Sequence, residues 1–391
     1  MRVAFDARSL SSPAPRGWDR YLIGLARELR RCGIAVALLH REREPLQAAH
    51  LRGLDCAVVG LADRGGLHWE QFAAPRALRQ GDYSVFHAPA EHGVPLISAV
   101  PTVLTIHSVT ARSYIELVAG GMLPGKASDY LGPAADIRRW TAANLYWHLQ
   151  IRRAGHILTP SRYAKQEVHR FLRIPDARVD VTPLAVDEQF TRSAKSRAEI
   201  GNTLERLGIR SPYLLFVGGY EPHKNVLGLL DAFVAVRAWR PDLALVLVGT
   251  KGVPEKLADS VRQCGLRPGA DVHMLADLTD DLADLYDGAE LFVTLSWRET
   301  FCLPALEAMT RGVPVVASSW GATPEVVGDG GILVDPRESK EAAGAIVEIL
   351  SSPACREQWV SKAMKAAKRF SWQDTASKTL TVYQSLVSGR A

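Results

Sequence analysis

Glu299 and Glu307 stand with seven residues between them in Ser296-Trp297-Arg298-Glu299-Thr300-Phe301-Cys302-Leu303-Pro304-Ala305-Leu306-Glu307-Ala308-Met309. A carboxylate that accepts two hydroxyl hydrogens reads a vicinal diol, such as a ribose or a pyranose. Pro304 suits the first turn of a helix, where its missing N–H costs nothing. The loop Glu299–Leu303 therefore delivers the chain to a helix N-terminus, and the backbone N–H groups of Phe301, Cys302 and Leu303 would face whatever docks there. That end of a helix favours a phosphate or diphosphate. Two carboxylates flanking such an anion site would grip a nucleotide sugar on both sides of its diphosphate. Either glutamate taken singly reads as a charge favoured by the helix dipole, and it is the two together, with Pro304 between, that favour the ligand site.

A second group is Val217-Gly218-Gly219-Tyr220-Glu221-Pro222-His223-Lys224-Asn225. The glycine pair permits a tight turn and close backbone approach. Lys224 sits at the mouth of the following helix, where its ammonium can meet a phosphate as a point charge. A lysine beside two glycines also fits a plain surface residue. GxxxxGK[ST] is absent, and no GxGxxG follows a strand, which argues against P-loop, NAD and FAD chemistry. His87, Glu91 and His92 follow an earlier strand and are read either as an acceptor-site lining or, for His87, as a hydrogen-bonded structural histidine. The acidic run Asp280, Asp281, Asp284 and Asp287 reads as a solvated helix face rather than a metal site. No Asp-x-Asp stands on a loop after a strand, so no metal is expected.

These residues need a frame to hold them. Strand-like runs at Arg2–Phe5, Ile34–Leu39, Ala57–Val59, Val85–His87, Val103–His107 and His156–Thr159 alternate with helical stretches such as Asp19–Arg31. The pattern restarts at Tyr213–Val217 and continues through Ala244–Val248, Val272–Leu275, Leu291–Leu295, Val313–Ala317 and Ile332–Val334. Such alternation predicts βαβ units and parallel sheets. Two doubly wound domains facing a cleft follow, with chemistry at the carboxyl ends of the strands. The polar stretch Phe190–Ser211 contains the expected linker. The expected boundaries are 1–190, 191–370 and a C-terminal helix over 371–391 that packs back toward the first domain.

Composition agrees with a folded chain: 391 residues, 47% apolar and 23% charged. No apolar run approaches the ~18 residues of a membrane-spanning helix, and a charge arrives too early for a signal peptide. Five scattered cysteines form no CxxC, which predicts neither a disulfide framework nor a zinc site and a reducing cytoplasm as the setting. Residues 1–190 carry 24 Lys+Arg against 18 Asp+Glu, whereas 191–391 carry 23 against 24. A basic first half suits an anionic partner, including a membrane surface, or is simply an arginine-rich solvated face. Arg138-Arg139-Trp140, Tyr146-Trp147 and Arg152-Arg153 fall in one helical region, where the tryptophans either touch a membrane or pack inward. No nucleic-acid motif accompanies them.

The chain resembles the retaining glycosyltransferases of the GT4 family, which have the GT-B fold of two Rossmann-like domains. The likeness rests on the Glu299/Glu307 pair, on Gly218–Asn225, on Ala308-Met309-Thr310-Arg311-Gly312-Val313-Pro314-Val315-Val316-Ala317 and on Thr323-Pro324-Glu325-Val326-Val327-Gly328-Asp329. In the first half it adds Gly17-Trp18-Asp19-Arg20-Tyr21, Thr105-Ile106-His107 and Pro160-Ser161-Arg162-Tyr163.

The resemblance implies roles. Glu299 would bind hydroxyls of the donor sugar and Glu307 the nucleotide ribose. Lys224 would neutralise the departing diphosphate, helped by the Gly17, Gly218–Gly219 and Thr300–Leu303 backbones. The segment Ala276–Thr279, chiefly the Leu278 backbone, would meet the base, and His107 would lie against the transferred sugar. Departures stand at Gly219, where the family often has Arg or Lys, at Thr300 and Cys302 in place of glycines, and at Ser108 in place of an acid. A further departure is Asp19, which near a diphosphate would need to face the acceptor or pair with Arg16 or Arg20.

The expected activity is transfer of a hexosyl or deoxyhexosyl unit from a nucleoside diphosphate sugar, first GDP-mannose and next a UDP or dTDP sugar, to an acceptor hydroxyl. The acceptor would be a glycan, a lipid-linked sugar or a small molecule. No cofactor beyond that co-substrate is implied. The expected location is the cytoplasm, including the inner face of the membrane. The alternatives are a non-catalytic binding protein on this fold and a pseudo-glycosyltransferase or epimerase.

Overall fold

The computed structural model describes residues 1–12, 17–126, 129–130, 137–210, 212–249, 252–278 and 280–389, with 110–113 and 137–143 described by backbone only. Arg16, Ser211, Thr279 and the side chains of Arg138, Arg139 and Trp140 therefore lie outside the described residues. The chain divides into two compact units. The first holds Met1–Glu116, Gly125–Ala185 and Ser371–Ala391; the second holds Leu117–Pro124 and Val186–Phe370.

The first unit is built on seven parallel strands: β1 (Arg2–Asp6), β2 (Ala35–Arg41), β3 (Ala57–Leu61), β4 (Val85–Ala88), β5 (Thr102–Thr105), β6 (His156–Thr159) and β7 (Val179–Val181). They lie in the order β3-β2-β1-β4-β5-β6-β7. The central strands read as near-continuous apolar runs because helices cover both faces of a parallel sheet. Val3, for instance, registers with Val36 on one side and Val85 on the other. The strand β7 escaped the sequence reading: it has three residues, and its middle one is the exposed Asp180.

The second unit has six parallel strands: β8 (Tyr213–Val217), β9 (Ala244–Gly249), β10 (Val272–Ala276), β11 (Leu291–Thr294), β12 (Val315–Ser318) and β13 (Ile332–Val334). Their order is β10-β9-β8-β11-β12-β13. Leu214, Leu245, Leu291, Val293 and Phe233 meet in its buried core. Each sheet reverses its winding once, between β1 and β4 in the first and between β8 and β11 in the second. Ligands of such sheets bind beyond the carboxyl ends of the strands at that reversal.

One reading of a polar stretch gains detail and another needs correction. The stretch expected to contain the linker holds the helix Arg197–Arg206, started by a capping box between Ser196 and Glu199, a spacing that satisfies two helix-end donors at once. Apart from the exposed Asp280, the acidic run is not a solvated face. Asp284 is buried and takes Lys195 and Thr203; Asp287 binds Arg311 and Asp281 binds Arg206.

The C-terminal helix Trp372–Val387 belongs to the first unit. Ser371 caps it by accepting from Asp374 N at 3.1 Å. Its Trp372 ring lies against Gly24 of the helix Gly17–Arg31, where a Cβ would sit 2.2 Å from the indole.

Candidate active site

In the second unit the two strands at the reversal deliver the two charged groups singled out above. The chain leaves β8 through Gly218-Gly219 and makes one 3-10 turn over Pro222–Lys224. At Asn225 it adopts the left-handed conformation, φ 52°, before the helix Val226–Trp239. Asn225 fixes this corner three ways. Its Oδ1 accepts from Gly228 N, and its Nδ2 donates to the carbonyls of Leu295 and Pro336, both at 3.0 Å. The loop after β8 is thereby tied to the segments that follow β11 and β13. His223 O also accepts from Trp297 N at 2.8 Å.

Across this seam Lys224 Nζ donates to Glu299 Oε1 at 2.7 Å. The same oxygen accepts from Ser296 Oγ at 2.8 Å, and Ser296 Oγ lies 3.1 Å from Thr294 Oγ1. The two charged side chains are only 17% and 13% exposed. Burial alone would lower the Lys224 pKa, but the Glu299 carboxylate outweighs it and the pKa is raised. Burial would raise the Glu299 pKa, but Lys224 and His223 outweigh it and it is lowered. Both groups are therefore charged at neutral pH. His223 beside them is pushed down to about 4, first by burial and then by Lys224, and is neutral.

Beyond Glu299 the chain reaches Phe301, buried with its ring edge-on to Phe370 at 5.5 Å. Cys302 stands at φ 74°, and the helix Leu303–Thr310 opens after it with Pro304 in its first turn. A glycine would adopt this φ without strain. The Cys302 carbonyl accepts from Ala305 N at 3.1 Å. Burial, with Glu299 adding to it, pushes the Cys302 thiol up to about 12. A thiol this basic supplies no thiolate nucleophile near neutral pH.

Glu307 lies one turn into that helix and is 1% exposed. Its Oε2 accepts from the Tyr286 hydroxyl at 2.8 Å, and that hydroxyl also lies 3.2 Å from Pro304 O. Gly218 lies close enough that a Cβ would stand 3.9 Å from Lys224 Cε, and a Cβ on Gly219 would collide with the Glu221 carboxylate. The Leu278 backbone follows β10, just past Asp277 at φ 57°.

In the first unit the loops after β1, β4 and β5 gather a second polar cluster. Glu91, at φ 59°, receives Ser108 N and Oγ on its Oε1 at 2.9 and 3.0 Å. His92 beside it is exposed. His107 donates from Nε2 to Pro89 O at 2.8 Å, lies edge-on to Tyr21, and is pushed down to about 4 by burial. It is neutral, with Nε2 carrying the proton. Gly17 opens its helix with nothing within 4 Å of where a Cβ would stand, and Asp19 in the next turn of chain is 1% exposed.

His87 does not line any acceptor site. It is 0% exposed on β4, with Nδ1 bonded to the Tyr383 hydroxyl at 2.5 Å and Nε2 to Thr105 Oγ1 at 2.7 Å. Its place on the central strand, beneath the C-terminal helix, makes it structural.

Several positioning residues escaped the sequence reading. Ser296 is an oriented hydroxyl two residues past a buried strand. Gly321, at φ 68°, lies so close to Glu299 that a Cβ would come within 2.7 Å of its carbonyl oxygen. Tyr286 sits 21 residues from the glutamate it holds. At the end of β1, Arg8 forks onto Asp6 and reaches Glu70 Oε1 at 2.9 Å. Asp6-x-Arg8 just after a strand was the available signal for that pair.

Comparison with known proteins covers both units. Residues 204–366 match the family model described as Glycosyl transferases group 1, and residues 15–190 match Glycosyltransferase Family 4. The O-antigen chain mannosyltransferase B of Escherichia coli is 33% identical over 241 residues, 61% of this chain and 63% of that protein. The MMP alpha-(1->4)-mannosyltransferase of Mycolicibacterium hassiacum is 30% identical over 324 residues, 79% of this chain and 72% of that one. Among solved structures, Anabaena Alr3699/HepE in complex with UDP-glucose superposes with a TM-score of 0.73 at 20% identity, covering 99% of this chain and 100% of that one. The last of these speaks to the fold alone, which is GT-B.

Proposed function

The chain belongs to the family 4 glycosyltransferases, and from that premise we propose that it moves a mannosyl unit from GDP-mannose to an acceptor hydroxyl with retention of configuration. The observation that carries this reading is the Lys224–Glu299 pair at the carboxyl ends of the two strands flanking the sheet reversal. The mannosyl choice draws on relatives that are named mannosyltransferases.

In this reading the donor diphosphate lies against the opening of the helix Leu303–Thr310 and takes the Lys224 charge. Glu299, still held by Ser296, then accepts hydroxyls of the sugar. Glu307 takes the ribose, with Tyr286 fixing its carboxylate, and the Leu278 backbone meets the base. As the bond from the anomeric carbon to the phosphate oxygen breaks, charge gathers on the diphosphate. Lys224 and the helix end stabilise that charge more in the transition state than in the ground state. The acceptor oxygen attacks from the face the diphosphate leaves, and the leaving phosphate oxygen takes its proton. Cys302, buried and with its thiol pKa pushed up by that burial, takes no part as a nucleophile in this reading. The Glu91 and His92 loop supplies acceptor contacts, and His107 enters through the family resemblance.

The test is a thermal-shift screen across nucleoside diphosphate sugars, followed by product analysis. A donor at a hundredfold excess over its Kd stabilises by about 2.7 kcal/mol. GDP-mannose is expected to give the largest shift, with UDP and dTDP sugars as comparators. Slow hydrolysis of the donor without acceptor, insensitive to EDTA, distinguishes a metal-independent transferase from a binding protein. No shift with any nucleoside diphosphate sugar would overturn the proposal.

A further inference from the structure

Three segments of the first unit carry large apolar side chains outward, and they are joined to one another. The stretch Gly66–Gln80 exposes Leu67 (62%) and Phe72 (65%), the helix Ile137–Arg153 exposes Leu145 (62%) and Leu149 (43%), and the loop after β4 exposes Ile97 (78%). Gln71 ties all three together. Its Nε2 donates to the Tyr146 hydroxyl at 2.6 Å, and its Oε1 accepts from Leu96 N at 3.0 Å. Gln150 adds bonds to Glu70 and to Val94 O.

The helix Ile137–Arg153 is about 25 Å long. Tyr146 and Gln150 form the row turned inward to Glu70, and Trp147 donates to Glu91 O. Leu145 and Leu149, four residues apart, form the neighbouring row and stay in water. Tyr146 and Trp147 are thus anchors of this surface, and its tips are leucines, an isoleucine and a phenylalanine.

The charge of these segments is one-sided. Residues 66–80, 92–101 and 137–155 contain Arg76, Arg79, Arg138, Arg139, Arg152 and Arg153 and a single acid, Glu70. Glu70 is buried and pairs with Arg8, a cation it shares with Asp6. Arg76, Arg79, Arg152 and Arg153 are exposed, and Arg153 shares a cavity with Ile97. Apolar tips accompanied, within these three stretches, by exposed arginines and no exposed acid suit an interface that is apolar below and anionic at its surface. A soluble polyanion would satisfy the arginines and leave the apolar side chains without a use.

We propose that this face of the first unit docks on the surface of an anionic lipid bilayer. Phe72, Leu145, Leu149 and Ile97 enter the boundary between headgroups and chains, and the arginines meet lipid phosphates. No described helix is long and apolar enough to cross a membrane, so the contact is peripheral. It does not depend on the identity of the donor sugar.

The test is vesicle co-sedimentation of the full chain with phosphatidylcholine alone and with phosphatidylcholine containing phosphatidylglycerol. Binding is expected only with phosphatidylglycerol and is expected to weaken as salt brings the Debye length below ~10 Å. Each of Arg76→Gln and Arg79→Gln should lower the partition coefficient about fivefold. A Phe72→Ser/Leu145→Ser/Leu149→Ser variant should lower it at least about tenfold, with the melting temperature and circular dichroism unchanged because all three side chains are exposed. Failure to bind either vesicle would overturn the proposal. Equal binding by the triple-serine variant would overturn it too, since the surface would then be only a polyanion site.

Discussion

Lys224 Nζ lies 2.7 Å from Glu299 Oε1 although 75 residues separate the two. The contact exists because β8 and β11 are adjacent at the sheet reversal and the loops that follow Val217 and Thr294 carry these two residues. The lysine proposed for the diphosphate and the glutamate proposed for the sugar neutralise each other in this pair. Donor binding on this reading exchanges the Glu299 charge at Lys224 for a phosphate charge and frees the carboxylate to take hydroxyls.

Breaking a buried pair from one side leaves its partner charged and unsolvated, at a cost of up to about 3–5 kcal/mol. Lys224→Met and Glu299→Gln are each expected to lower the urea midpoint, and the double variant to lie above the sum of the two losses. A double-mutant cycle measures the coupling, and strict additivity would show that the contact contributes nothing. Lys224→Ala should also cut turnover by about 10²–10³, as loss of one oxyanion-type donor does; unchanged turnover would remove Lys224 from the chemistry.

The two glutamates separate by ligand. Every nucleotide ligand carries the ribose, but a free nucleoside diphosphate lacks the sugar. Hydrogen bonds to charged groups contribute about 1.5–3 kcal/mol. Glu307→Gln should weaken nucleoside diphosphate and nucleotide sugar alike in calorimetric titration. Glu299→Gln should leave the diphosphate nearly unchanged and weaken the sugar nucleotide or its turnover. Tyr286→Phe is the control: it removes the hydroxyl that holds Glu307 and should weaken both ligands less than Glu307→Gln does. Equal loss in both would mark Glu307 as part of a structural pair.

The alternation of short apolar runs with amphipathic stretches made both sheets readable, because strands buried on two faces leave a continuous apolar signature. Lys224, Glu299 and Glu307 stood out by local spacing. What stayed hidden depends on distant chain. Nothing near Lys224 announces Glu299 as its partner, and nothing near His87 announces Tyr383, 296 residues away. The sequence therefore leaves His87 between an acceptor-site and a structural reading, and the structure places it in the core. Trp147 and Leu145 show the same limit: a basic aromatic helix was visible, but which row turns inward is set by Glu70 and Glu91 on other segments.

Acid should destabilise the fold before its carboxylates titrate. Burial, the leading cause in each case, lowers the pKa of His87 to about 3 and of His107 and His223 to about 4, and it also lowers His156 and His273. At His87, His107 and His223 the unfolded chain binds protons near pH 6.5 and the folded chain does not. Stability is therefore fully present above about pH 6.5 and falls as pH drops toward the folded values, by up to ~1.4 kcal/mol per pH unit for each such histidine. Urea midpoints at steps from pH 7 to pH 4.5 check this. A flat profile would mean that these histidines are not held neutral.

Two glycines test positioning without touching charge. Gly321 has φ 68°, and a Cβ there would stand 2.7 Å from Glu299 O and 2.8 Å from Glu299 N. Alanine would add the left-handed cost of roughly 1–2 kcal/mol and push the Glu299 backbone away, since Ala322 N also holds Glu299 O at 2.8 Å. Gly321→Ala is therefore expected to lower both the melting temperature and turnover while nucleoside diphosphate affinity holds, because the displaced group is the one assigned to the sugar. Gly17 is the opposite case, with open space where a Cβ would stand. Gly17→Ala should leave the melting temperature unchanged or raise it, since alanine favours the helix it opens. If the Gly17 backbone approaches the donor as the family resemblance implies, the same variant should lose donor affinity by calorimetry. A Gly17→Ala protein with full donor affinity and turnover would remove Gly17 from the donor site and leave the assignment of Glu299 intact.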